Sequence, residues 1–191
     1  MSIIHLRICV NGLWWGVREW IPVPGSVKAR LLAAALARFE AEGFDAASVT
    51  DIARDAGATT GALYHHFGSK PQLFATIREE MERRVRDRME GAFAAVGGGH
   101  AGLRAALRVA VDAAVRFAAV RVLSDPAASP ERDALLPTLR GLLGDAPGPA
   151  PEVLLGAYRA ALAAVARGAA PDEARRALDW LLGKPADPGD A

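Results

Sequence analysis

Apolar residues recur along this chain at the three- and four-residue spacing of helices, and the runs break at glycine, proline and serine. The first run puts Leu31, Leu32, Ala35, Leu36 and Phe39 on one face, opens after Ser26 and stops at Gly43. Ser26 suits an N-cap and Gly43 a C-terminal cap, and Phe44 just beyond can fold back onto the core. Ser48 and Asp51 then form an S-x-x-D capping box at the head of a second helix, which buries Ile52, Ala53 and Ala56 and closes at Gly57. Thr59 caps a third, very short helix that reaches His65 or His66 and buries Leu63 and Phe67. Ser69 and Gln72 make another capping box, with Pro71 in the tolerated first turn, and a fourth helix runs from there to about Val96.

The pattern stays helical to the end. After Gly97-Gly98-Gly99, one helix is expected over 103–123, with Leu103, Leu107, Ala110, Val111, Ala114, Val115 and Ala118 on its apolar face. A loop follows at 124–130, then a shorter helix over 132–143 that is bent or broken near Pro137. Beyond the loop at 144–151, two last helices cover 152–167 and 172–182. Charges in 79–90 pair one turn apart (Glu79/Arg83, Glu80/Arg84, Glu82/Arg86) and read as a solvated helix face. The expected fold class is all-α: an N-terminal three-helix helix-turn-helix domain and a C-terminal helical domain. The expected division is an arm at 1–25, the helix-turn-helix domain at 26–74, the second domain at 75–183 and a disordered tail at 184–191.

The arm has its own pattern. Asn11-Gly12 between two apolar-rich runs suits a two-residue hairpin turn joining 3–10 to 13–20, but a lone hairpin is marginal in water. The reading adopted is that the arm is disordered or non-native sequence upstream of a natural start near Val27. Its longest uncharged run, 8–17, is shorter than the ~20 apolar residues that span a bilayer. Of 191 residues, 51% are hydrophobic and 24% charged, as in globular proteins. The single cysteine, Cys9, allows no intrachain disulfide, so a cytoplasmic setting is expected, with no membrane partner.

The chemistry lies in 48–70. A helix-turn-helix reader needs a bracing helix, a tight turn, and a second helix whose N-terminal end carries small or hydrogen-bonding residues, because that end enters the major groove. The turn is Ala56-Gly57-Ala58, and the exposed end is Thr59, Thr60, Gly61 and Ala62. Threonine can bond a base edge, and its methyl can meet a thymine methyl. Tyr64, His65, His66 and Lys70 follow where they can reach flanking phosphates. Adjacent histidines on a helix point about 100° apart and no third ligand is near, so no metal site is expected. There is no P-loop, dinucleotide fingerprint, G-x-S-x-G or H-E-x-x-H, so neither enzyme nor cofactor is expected. Residues 26–70 hold five basic and five acidic side chains, so affinity should depend less on salt than for a strongly basic reader.

Gly43-Phe44, then Ser48 to Ala53 (SVTDIA), Ala56-Gly57, Gly61 to Phe67 (GALYHHF) and Ser69-Lys70 resemble the DNA-binding domain of TetR/AcrR-type transcriptional regulators over roughly 27–74. Ala58 departs from the valine usual there. The resemblance implies an all-helical regulator that binds a near-palindromic operator in double-stranded DNA as a homodimer. It places Thr50 at the start of the bracing helix, Thr60, Gly61 and Ala62 where bases are read, and Tyr64, His65, His66 and Lys70 where phosphates are gripped. It implies a repressor, or alternatively an activator or a ligand-independent interaction protein. It also implies a small-molecule effector, expected to be hydrophobic, with Asp112, Arg116, Phe117, Arg121 and Tyr158 as candidate lining. Asp112 and Arg116 also read as a surface ion pair. The expected dimer surface is Leu154, Tyr158, Ala161, Leu162, Val165, Leu178, Trp180 and Leu181, though the same stripes could close the monomer core.

Overall fold

Four side-chain hydroxyls start the first four helices. The structure, a computed structural model, describes residues 25–125 and 133–183, and is all-helical over them. Ser26 Oγ accepts from the Ala29 N–H at 3.2 Å and opens α1, Val27–Glu42. Ser48 opens α2, Val49–Asp55; Thr59 opens α3, Thr60–Phe67; Ser69 opens α4, Lys70–Ala95. Each cap satisfies an N–H that the helix cannot. Thr59→Ala is expected to lower the unfolding free energy by about 1 kcal/mol, read as a lower urea midpoint at unchanged slope. The arm apart from Gly25, its hairpin, Cys9, the tail and most of the loop near 124–130 lie outside the described residues.

The remaining helices are α5, Gly99–Arg116; α6, Val120–Ser124; α7, Leu135–Leu143; α8, Ala150–Ala166; and α9, Pro171–Leu182. The expected single helix over 103–123 is therefore two, with Phe117 to Ala119 between them. Ala118 there has φ 47°, the left-handed region that an alanine adopts only at a cost. Pro137 does not bend α7, because it lies in the first turn, where its missing N–H has no partner to lose.

Helices α1 to α3 close over Leu31, Ala35, Phe39, Ile52 and Leu63, all at most 2% exposed. Phe44 folds back as expected: the Phe39 and Phe44 rings each lie 5.1 Å from Phe74, fastening α1 and its following loop to α4. From there α4 leaves the first three helices and packs along α5, which packs also on α9; α6 and α7 both lie against α8. Val85, Met89, Leu107, Val111 and Leu162 are buried where these meet.

The charge run on α4 is a solvated face only in part, exposed at Glu79, Asp87, Arg88 and Glu90. Arg78, Glu80 and Glu82 are buried. Of the three expected pairs only Glu80/Arg84 forms, at 2.6 Å. Arg83 turns to Glu80 and Asp87, while Glu82 lies 2.8 Å from Arg78 and 3.6 Å from Arg159 of α8, which also pairs with Asp133. Spacing along one helix does not reveal the burial of Glu82, because Arg159 and Asp133, which complete its cluster, come from elements distant in sequence. No helix among the described residues is long and apolar enough to cross a membrane.

Candidate nucleic-acid interface

The α2–α3 turn is held from inside. Gly57 takes φ 58°, which its lack of a Cβ allows, and the Ala58 N–H donates to Ala53 O at 2.9 Å. Arg30 of α1 locks the turn from below: Nε donates to Ala56 O at 2.8 Å and Nη1 to Gly25 O at 2.7 Å. Leu63 and Phe67 seat α3 in the core, at 0% and 7% exposure, which fixes the face left outside. That face carries Gly61, Tyr64, His65 and His66, all exposed, with Thr60 and Ala62 half-buried beside them. Thr50 is exposed on α2. Most of the expected reading residues thus lie on the outer side of α3, and Thr50 is exposed separately at the head of α2.

Two of them have internal duties. Thr59 Oγ1 accepts from the Ala62 N–H at 3.1 Å and is a cap. Lys70 Nζ donates to Asp45 O at 3.1 Å and sits 4.7 Å over the Phe44 ring, where it ties down the α1–α2 loop. His65 and His66 meet edge to face at 5.4 Å, and no His, Cys, Asp and Glu group among the described residues could hold a metal.

The neutral charge balance has a structural counterpart. Arg38 bonds Asp55 at 2.7 Å and Glu42 at 2.5 Å, and it holds the Asp55 carboxyl below its ordinary range. Arg54 meets Asp51 at 2.6 Å but is 64% exposed, so it can exchange partners. Among the described residues of this region, Lys28 alone of the cations has neither a carboxylate nor a carbonyl partner; it lies 6.0 Å from the Phe67 ring. Sequence reading missed Arg30 as the turn's lock and Arg54 as an available cation. Nothing in a sequence separates an arginine bonded to carbonyls from one facing solvent.

The five candidate effector residues do not converge. Asp112 is bound by Arg175 of α9, not by Arg116, which is exposed at the end of α5. Phe117 lies between the Arg84 and Arg88 guanidinium groups, at 5.7 and 5.1 Å. Arg121 is bonded to Glu40 of α1. Tyr158 is buried with its hydroxyl donating to Ala110 O at 3.2 Å; burial first, then the Glu82 charge, pushes its pKa up. A cleft of about 560 Å³ opens elsewhere, between α4 and α7, lined by Arg86, Asp87, Glu90, Ala134, Pro137, Thr138, Gly141 and Leu142.

The expected dimer residues also divide. Leu154, Tyr158, Ala161, Leu162 and Leu178 are buried within the single chain, so they close its core. Trp180 and Leu181 stay 80% and 56% exposed, Val165 is half-buried, and Val153 on α8 adds an apolar side chain at 66%.

Over the described residues the chain joins a locked helix-turn-helix at one end to a larger helical body at the other, the architecture of helix-turn-helix DNA-binding proteins. Residues 31–77 match the family described as bacterial regulatory proteins, tetR family. The chain is 43% identical over 54 residues to the transcriptional repressor KstR2 of Mycolicibacterium smegmatis, a match that covers 28% of this chain and 26% of KstR2. A TetR-like transcriptional regulator from Rhodococcus sp. RHA1 superposes with a TM-score of 0.63 at 26% identity, over 83% of this chain and 97% of that one. The fatty acid degradation regulator FadR of Bacillus halodurans shares the fold, with a TM-score of 0.68 at 15% identity over 83% and 99% of the two chains. The family likeness thus lies in residues 31–77, and the fold of the described residues is shared with these regulators over most of their length.

Proposed function

We propose that this chain is a homodimeric transcriptional repressor that reads a near-palindromic operator through α3 and leaves it when a small amphipathic molecule binds. The observation that carries the reading is the exposed N-terminal edge of α3. Gly61 is exposed there with Thr60 and Ala62 half-buried on either side, and Tyr64, His65 and His66 are exposed along the same short helix, above a turn that Arg30 braces. An N-terminal helix end carrying small and hydroxyl side chains is what major-groove reading requires. Under this reading 26–74 bind DNA and 75–183 carry the effector and dimer surfaces.

Val153, Val165, Trp180 and Leu181 supply the apolar surface for pairing α8 and α9 with their two-fold mates. The cleft between α4 and α7 lies within the usual ligand range of about 300–1,000 Å³. It sets Pro137 and Leu142 beside Arg86, Asp87 and Glu90, a lining for an amphipathic rather than a purely hydrophobic molecule.

Selection of bound duplexes from a random DNA library, followed by sequencing, tests the core of the proposal. Two half-sites about one helical turn apart, or a multiple, are expected; no enriched sequence would defeat it. Salt titrations on the recovered duplex then separate the roles. Thr60→Ala should narrow the gap between selected and random DNA, with nonspecific affinity nearly kept. Arg54→Ala should weaken both alike and reduce the salt slope by about 1.

A further inference from the structure

The outer side of α3 carries none of the charged or carboxamide side chains that commonly take up a base edge. From Thr60 to Phe67 there is no arginine, lysine, asparagine, glutamine, aspartate or glutamate. Those are the residues that select guanine, adenine or cytosine in the major groove. Neighbouring elements do not make up the lack. Arg30 commits Nε and Nη1 to the carbonyls of Ala56 and Gly25, and Arg38 is held by Asp55 and Glu42. Lys70 is tied to Asp45 O, and Gln72 at the head of α4 accepts from Ser69 Oγ at 3.2 Å. Lys28 lies by Phe67, at the far end of α3 from Thr60. Arg54 belongs to α2, where it pairs with Asp51 and serves phosphate in the reading proposed above.

What remains in the first turn of α3 is small and bears methyl groups. Thr59 is exposed, but its oxygen is engaged by the Ala62 N–H at 3.1 Å. Gly61 and Ala62 have no polar side-chain atom, and their small size lets a short neighbour come close to a base edge. Among the described residues of this turn, only Thr60 has an uncommitted hydroxyl. Threonine bears that hydroxyl and a methyl on the same carbon. Thymine presents a matching pair in the major groove, its O4 acceptor beside its 5-methyl group, and no other base has a methyl there. We propose that each half-site places a thymine against Thr60, whose hydroxyl donates to O4 and whose methyl packs on the 5-methyl. This rests on the DNA-reading role proposed above and names the base which that role selects.

The test removes the methyl group from the DNA. In the duplex recovered by selection, each half-site thymine is replaced in turn by deoxyuridine, which keeps O4 and every pairing hydrogen bond. At the position facing Thr60, the full chain should bind about fourfold more weakly for one substituted half-site, the equivalent of one buried methyl group, and about fifteenfold more weakly for both. Thr60→Ser, which keeps the hydroxyl and loses the methyl, should bind the thymine and deoxyuridine duplexes alike. Thr60→Val, which keeps the methyl and loses the hydroxyl, should still favour thymine. Selective binding with every deoxyuridine substitution neutral would overturn the thymine contact and leave the DNA reader standing. A deoxyuridine penalty as large in Thr60→Ser as in the wild type would overturn it equally. So would affinity that falls with 7-deazaguanine, which lacks N7, while the thymines are neutral; selectivity would then rest with His65 and His66. Failure to recover any selective duplex would remove the DNA-reading role itself, and the thymine contact with it.

Discussion

Glu82→Ala is expected to destabilise the protein by about 3–5 kcal/mol, the usual cost of removing one partner from a buried ionic group. Glu82 is 1% exposed on α4 and answers two guanidinium groups, Arg78 at 2.8 Å and Arg159 at 3.6 Å. Its other oxygen accepts from the Ala134 N–H at 3.2 Å, just ahead of α7. Removing it strands the buried Arg78 and leaves the half-buried Arg159 with Asp133 alone. Arg78 and Arg159 have no spare capacity to absorb this, since each already carries a buried N–H without a partner. Urea unfolding measures the loss. The double change Arg78→Met with Glu82→Leu should cost clearly less than Glu82→Ala, because it replaces charges with apolar volume instead of stranding one. If the double variant is the less stable, the penalty comes from packing rather than from an orphaned charge.

The same group has a pH signature. Burial, opposed by Arg78 and reinforced by the nearby Asp133, raises the Glu82 pKa above its ordinary 4.5. The folded state therefore holds this proton more tightly than the unfolded chain. Its contribution to stability is full below 4.5 and is lost as pH rises through the raised value. Burial shifts Glu40 in the same direction, so wild-type stability carries a component that falls with rising pH on both accounts. Glu82→Gln removes one of the two. Melting curves at stepped pH should show a shallower decline in that variant than in the wild type.

What the sequence made legible was local. Ser26, Ser48, Thr59 and Ser69 announce helix starts, because a hydroxyl beside a free N–H needs only the next three residues to act. Gly57 announces the turn for a similarly local reason, and Leu63 and Phe67 show which side of α3 faces in. The edge around Gly61 could therefore be read before any coordinates. Contacts distant in the chain could not. Glu82 looked solvated because Arg159 lies far along the sequence, and Lys70 looked like a free cation because the Asp45 carbonyl it holds is invisible in a string of side chains. The break between α5 and α6 was hidden for the same reason. Ala118 keeps an apolar spacing, and only Glu40, distant in sequence, supplies the cap that lets a new helix begin at Val120.

Gly61 offers the sharpest separation of folding from function. It lies in the first turn of α3, exposed, and a Cβ added there would meet only Thr59 Oγ1, at an ordinary 3.7 Å. The fold therefore gives no reason for a glycine at this place. Gly61→Ala should raise stability by about 0.5–1 kcal/mol, through the lost backbone freedom of the unfolded chain. A fold-neutral glycine on the proposed reading edge instead suits close approach to a base pair, and a larger side chain would occupy that space. Gly61→Leu should melt near the wild-type temperature yet lose about a thousandfold or more in affinity for the selected duplex, down to the level of random DNA. The two measurements pull in opposite directions only if α3 enters the groove by this edge. A leucine variant that binds the selected duplex as the wild type does would move the reading surface away from Gly61, toward Tyr64 and the histidine pair.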